Sequence, residues 1–394
     1  MPRRSLIKKM SLHLPKLERR PELDALRGLF LVWMTLTHLP TRFSDFVNQP
    51  IGFISSAEGF VFISALLVGR IYIHEMQHDE AGVHLKLLRR SLKIYSYHLL
   101  LLFFAFTVAA AYAVHTHRAA LTNLLDFYLA HPATAIVGSL LLLYCPPLLD
   151  ILPMYVTFLL FTPIILSIAV RTGWKKILAV SMLVWLLAQF GLRDVAHNWI
   201  VGVTHLHIPL QETGAFNLFA WQAVWIFGLW LGAGLARGFV PFRYVPRSVV
   251  AVCGVISVLF IAARYGWLGP HLDPQALGLR VDKWRIGPLR VLNLVCFSIV
   301  LYAMRKYVVK FVAREPFLTL GKASLHVFCA HLFFVFVGLA LLYGEVAQLH
   351  GWTAVILIAV TLVSLVFVAA REVRRQRARK NRAAPAVEAR TVAR

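Results

Sequence analysis

The chain reads as an all-α polytopic membrane protein of about ten transmembrane helices with both termini cytoplasmic, and three observations predict this. Of its 394 residues 59% are hydrophobic and only 15% are charged, with a mean hydropathy of +0.69, more apolar surface than a soluble fold can hide. Apolar runs of about 20 residues, the length that crosses a hydrocarbon core of about 30 Å, recur along the whole sequence. The 41 Lys and Arg, set against 18 Asp and Glu, fall between these runs and sort by side of the membrane.

The runs lie at 23–42, 52–73, 90–114, 152–170, 175–192, 215–236, 248–267, 288–305, 318–343 and 353–371. Ile136–Leu149 is also apolar, but Pro146 and Pro147 interrupt it and it is too short to span unaided. It is expected to be re-entrant or interfacial, since counting it as a span would put the basic C-terminus on the opposite side. With the N-terminus inside, inner segments hold 32 of the 41 cations and outer segments hold eight, with Arg27 left inside the first run. The outer loop 268–287 fits least well, carrying Arg280, Lys283 and Arg285 against Asp273 and Asp282.

Three regions follow: a basic cytoplasmic tail at 1–20, a membrane domain at 21–371, and a basic cytoplasmic tail at 372–394 that is expected to be disordered. About twenty polar and basic residues precede the first run, which contains Arg27 and lacks a small-residue cleavage site. The first span is therefore expected to be retained. The net charge of +23 reads as topology and not as nucleic-acid binding, because the cations sit between membrane runs and not on a polar domain. Cys145, Cys253, Cys296 and Cys329 form no C-x-x-C pair and read as buried thiols.

Ionisable groups inside spans are costly and mark candidate sites. Arg27 and His38 are eleven residues apart on the first span, which puts them on nearly one helix face and about 16 Å apart along the axis. A snorkelling arginine and an interfacial histidine are the plain alternative. Glu58 sits about 9 Å below the outer surface on the antiparallel second span, at a depth similar to that of His38. A carboxylate there can orient a histidine general base, or simply tie two spans together. At the inner start of the third span, Arg89, Arg90 and Lys93 are either positive-inside anchors or, with Arg27, a site for the phosphates of an anionic cofactor. On the ninth run, His331 is near mid-membrane and either lines the same cavity or is a core histidine. The pairs His115/His117 and His205/His207 have no carboxylate or thiol at metal-ligand spacing, so no metal is expected. No nucleophile elbow, Walker loop or dinucleotide motif is present.

These residues resemble the signatures of the membrane acyltransferase-3 superfamily. Arg27 followed by His38 resembles its Arg-x10-His element; Glu58-Gly-Phe-Val-Phe-Ile-Ser64 resembles its acidic residue and following apolar motif. Arg89-Arg90-Ser-Leu-Lys93-Ile-Tyr95 resembles its Arg-Arg-x-x-Arg-Ile-Tyr-Pro, and Leu320-Gly321-Lys-Ala-Ser324 with His331 resembles its late element. Within the superfamily, Arg20-Pro-Glu-Leu-Asp24-Ala-Leu-Arg27, Met34-Thr-Leu-Thr-His38, Ala57-Glu58 and Leu143-Tyr-Cys-Pro-Pro-Leu-Leu-Asp150 are similar to the OpgC proteins. Glu58 stands where Asp is common, Ala65 for Gly, Lys93 for Arg and Ser96 for Pro. The charge-keeping changes leave the chemistry intact, and the other two put local helix geometry in doubt.

The resemblance implies an enzyme of the bacterial inner membrane that transfers succinyl groups from succinyl-CoA to hydroxyls of osmoregulated periplasmic glucans. The bilayer and the glucan acceptor are then its partners, and other glucan-biosynthesis proteins are candidate ones. His38 would be the general base with Glu58 orienting it, while Arg27, Arg89, Arg90 and Lys93 would hold CoA phosphates. Asp24, Ser64, Tyr95 and His331 would line the substrate cavity. Direct attack on the thioester and a covalent acyl-His38 intermediate both remain open. A glucan or acyl-carrier transporter or flippase is the rival reading, though the sequence has neither an inverted repeat nor matched broken helices.

Overall fold

The computed structural model describes residues 20–239, 245–343 and 347–392, and among them it is helical, with two isolated β-bridges and no strand. Thirteen helices carry the architecture: α1 (Pro21–His38), α2 (Ser56–Met76), α3 (Glu80–Phe104), α4 (Ile151–Thr172), α5 (Lys175–Gln189), α6 (Leu192–Thr204), α7 (Leu218–Ala236), α8 (Arg247–Arg264), α9 (Pro288–Ala303), α10 (Arg305–Val312), α11 (Phe317–Lys322), α12 (Ser324–Leu341) and α13 (Gly351–Val392). Local chemistry starts them. Pro21 opens α1 with Glu22 and Asp24 in its first turn, where a fixed φ and negative charge suit a helix N-terminus. The Asp79 side chain caps α3 by accepting from the Gly82 N–H, and Asn217 caps α7 by accepting from Phe219 and Ala220.

Among the described residues seven helical stretches are long and apolar enough to cross a membrane, and two bent pairs bring the number to nine if each pair is one span. The pairs are α5–α6, bent by 83°, and α9–α10, bent by 82°. The protein is thus a multi-pass helical membrane protein. The run that falls outside this set is α1, because Glu22, Asp24 and Arg27 put three charges on 18 residues. Side chains such as Leu183, Val258, Val363 and Phe367 are exposed, an apolar surface suited to lipid.

Three segments differ from the expected boundaries. The run 318–343 is two helices, α11 and α12, meeting at Ala323. Ile136–Leu149 is the end of a nine-residue helix, Pro132–Leu140, followed by an irregular stretch with Leu142 and Leu148 at positive φ, too short to cross. The segment from 372, expected to be a disordered tail, continues α13 as helix to Val392. Its Ala, Arg, Glu and Gln residues favour helix, and the Gln376 amide donates to Glu372 Oε1 four residues back at 2.9 Å. Most of the expected tail at 1–20 lies outside the described residues.

Small residues set the closest packing. Gly69 and Gly232 let α2 and α7 touch backbone to backbone, where an added Cβ would overlap the carbonyls of Leu229 and Leu66. The same device joins α1 to α11: a Cβ at Gly28 would overlap the Phe317 carbonyl, and one at Gly321 would overlap the Asp24 carbonyl. Both positions adjoin charged residues, Arg27 before Gly28 and Lys322 after Gly321. Leucine at Gly28 or Gly321 is predicted to force α1 and α11 apart and to destabilise the fold by about 1–3 kcal/mol each, read as a lower melting temperature in detergent. Alanine at Gly254 on α8, where nothing lies within 4 Å of the added carbon, should leave that temperature unchanged.

Candidate active site

Two rungs join α1 to α12. At one end the Arg27 guanidinium donates to Ser324 Oγ; at the other, His38 Nδ1 lies 3.3 Å from His331 Nε2, with the rings stacked at 5.5 Å. Eleven residues separate the rungs on α1 and seven on α12, about 16 Å and about 10 Å of axis. The helices therefore run in the same direction, and the long Arg27 side chain takes up the difference. The sequence places Arg27 and His38 on one face, and the structure gives both a partner on one neighbour.

Around the Arg27 rung is a cavity of about 270 Å³, whose lining includes Arg27, Arg90, Lys93, Lys322, Ser324 and Tyr155. Four cations thus converge from α1, α3 and α11. Lys322 is brought in by the Gly321–Asp24 contact one residue earlier. Phe60 and Phe328, stacked at 6.4 Å, also line the cavity. Beyond them Phe328 meets the His331 ring edge to face at 4.8 Å. An aromatic layer therefore stands between the cations and the histidine pair.

Glu58 does not join His38. It occupies the third position of α2, and its Oε2 accepts from the Ser55 N–H at 3.0 Å and from the Ser55 hydroxyl, a capping box. Its Oε1 accepts from Arg290 Nε, and the two side chains are 1% and 2% exposed. Arg290 is held further by Gln49 Oε1 at 3.3 Å and the Val281 carbonyl at 3.2 Å. The expected carboxylate–histidine contact is thus replaced by a buried ion pair between α2 and α9, and His331 is the partner of His38. Nearby, burial pushes the Lys283 ammonium below its usual range, while the Glu58 carboxylate pulls it back up.

Of the other expected residues, Asp24 is buried and its charge is felt by Arg27. Ser64 is fully buried beside the Tyr155 hydroxyl. Arg89 is exposed and outside the cavity lining. Tyr95 donates its hydroxyl to the Leu140 carbonyl at 2.8 Å, also away from the cavity. Lys322, Tyr155 and Arg290 were missed. For Arg290 the available signal was a cation inside the start of an apolar run on the same side of the membrane as Glu58; for Lys322 it was its place inside the Leu320–Ser324 motif. Among the described residues no group of three or more His, Cys, Asp or Glu could hold a metal ion.

Breaking a buried pair leaves a charge without its counter-ion, at a cost of about 3–5 kcal/mol. Arg290→Met is therefore predicted to lower the melting temperature sharply, and Arg290→Met combined with Glu58→Gln to recover most of that loss. A double-mutant cycle in detergent checks this, since non-additivity is the mark of a coupled pair.

The profile of the OpgC protein family matches residues 19–378, a stretch that contains both rungs, the cavity and the Glu58–Arg290 pair. No curated protein and no solved structure matches the chain. The family match carries the role of a membrane acyltransferase in glucan modification, and it extends over nearly the whole chain. The chain belongs to the OpgC protein family.

Proposed function

We propose that the protein is an O-acyltransferase of the bacterial inner membrane that moves a succinyl group from succinyl-CoA to a hydroxyl of an osmoregulated periplasmic glucan. The observation that carries the reading is the arrangement along α1: a four-cation cavity at the Arg27 end and a histidine pair at the His38 end, both closed by α12. Arg27, Arg90, Lys93 and Lys322 suit the phosphates of a nucleotide carrier. The excess of cations on one side supports a cavity that opens towards the cytoplasm, with α1 as a tenth span and both termini inside.

In this reading the donor's thioester arm runs from the cations past Phe60 and Phe328 to the histidines. His38 takes the proton of the sugar hydroxyl as its oxygen attacks the thioester carbonyl. The C–S bond then breaks, the ester stays on the glucan, and the thiolate recovers a proton to leave as free CoA. With His38 Nε2 as the base, its Nδ1–H faces His331 Nε2, so His331 holds the tautomer and shares the charge. Glu58 acts at a distance, by fixing the start of α2 through Arg290.

His38→Ala in protein reconstituted in nanodiscs is expected to cut succinyl transfer from succinyl-CoA to a glucan acceptor by about 10²–10⁴-fold, the usual worth of general-base catalysis. His331→Ala should cut it less, with protein yield unchanged. In cells, His38→Ala should leave glucans neutral and normal in amount. Unchanged substitution would remove the catalytic assignment, and loss of the periplasmic glucans themselves would favour transport.

A further inference from the structure

The cavity has a wall that lies beyond the apolar part of the last helix. α13 passes Arg371 and continues, and on that continuation Gln376 lines the cavity with Lys93 and Lys322. A chain of polar contacts fixes it there. Gln376 donates to Glu372 Oε1 at 2.9 Å, Glu372 Oε2 lies 3.5 Å from His326 Nε2, and the same nitrogen meets the Tyr97 hydroxyl at 2.8 Å. The Tyr97 and His326 rings pack edge to face at 5.3 Å. Between Arg371 and Arg382 Glu372 is the single acid among seven Lys and Arg. That one carboxylate is turned inward, towards His326 on α12, and Arg375 is close enough for its charge to reach His326 and Tyr97.

The size of the cavity says what this wall meets. About 270 Å³ is less than the roughly 300–1,000 Å³ that encloses a drug-sized ligand, and a nucleotide-bearing carrier is larger still. Whatever part of such a carrier stays outside must run along the mouth, between Lys93, Lys322 and α13.

We propose that the continuation of α13 beyond Arg371 is the outer wall of the donor site, where Gln376 and Arg375 contact the part of the anionic nucleotide that extends out of the cavity past Lys93 and Lys322, while the carrier's thioester arm runs inward. The proposal rests on the donor reading above. It makes a stretch that looks like a solvated basic tail part of the binding machinery, held in place by the Glu372–His326–Tyr97 contacts.

The test uses the full-length protein in nanodiscs and free CoA as the probe, with affinities measured by calorimetry. Placing a charge near a phosphate at about 4 Å is worth about 1 kcal/mol in water, so Gln376→Lys should tighten CoA binding about fivefold and Gln376→Glu should weaken it about fivefold. Arg375→Ala should weaken it as well. The gap between the lysine and glutamate variants should shrink as salt approaches about 1 M. Damage to the fold cannot move two substitutions at one position in opposite directions. Equal affinities in the wild type and all three variants, or lysine and glutamate shifting the same way, would overturn the proposal while the donor reading stands. Absence of saturable CoA binding by the wild type would overturn the donor reading itself.

Discussion

A guanidinium held inside an apolar bundle is the constraint from which the rest of this structure follows. Arg27 lies on a helix whose first two turns also carry Glu22 and Asp24, and in hydrocarbon each of these groups needs a partner or water. α1 therefore belongs inside the bundle. The satisfying groups are Ser324, which takes the guanidinium hydrogen bond, and Asp24, whose charge offsets that of Arg27. They come close only because Gly28 and Gly321 let α1 and α11 meet backbone to backbone. The same approach carries Lys322 to the cavity, so a packing requirement and a cation cluster are one feature of the chain.

Once α1 and α12 are in contact at Arg27, running in the same direction, their far ends meet too. His38 and His331 are that second meeting, and Pro40 against Gly338 closes the pair just beyond it. Between the rungs the wall is aromatic, with Phe60, Phe328 and Tyr155. A polar end that attracts anions, an apolar middle and an imidazole pair form one path along one helix pair. This is the order in which a phosphorylated carrier, its thioester arm and a base would be used.

Much of this was legible in the residues. Every expected apolar run became helix, because run length and apolarity are local properties. Arg27 with His38 could be read as a face of one helix, because eleven residues bring the face round again. The partner of His38 was not legible. Glu58 and His331 were both at plausible depth, and depth alone does not say which neighbour a helix faces. The Ser55-x-x-Glu58 spacing is a capping-box signature and signalled that this carboxylate had work at its own helix start. Arg290 stands at the head of an apolar run, where charge alone does not say that its partner is Glu58 on another helix. The stretch from 372 reads as solvated because eight cations dominate its two acids, and one of those acids, Glu372, is the residue that ties it to His326.

The central claim is that the cations of the cavity and the histidine pair lie at opposite ends of α1, with the cavity opening to the cytoplasm. Site-directed labelling with a membrane-impermeant thiol reagent tests it most directly, with the four native cysteines, three of them buried, as the background. Lys93→Cys should react in inverted membrane vesicles and not in intact spheroplasts, and added CoA should slow the reaction. Asn48→Cys, beyond the His38 end, should show the reverse sidedness and no effect of CoA. Labelling of Lys93→Cys in intact spheroplasts, or reaction of both positions from one side, would contradict the account.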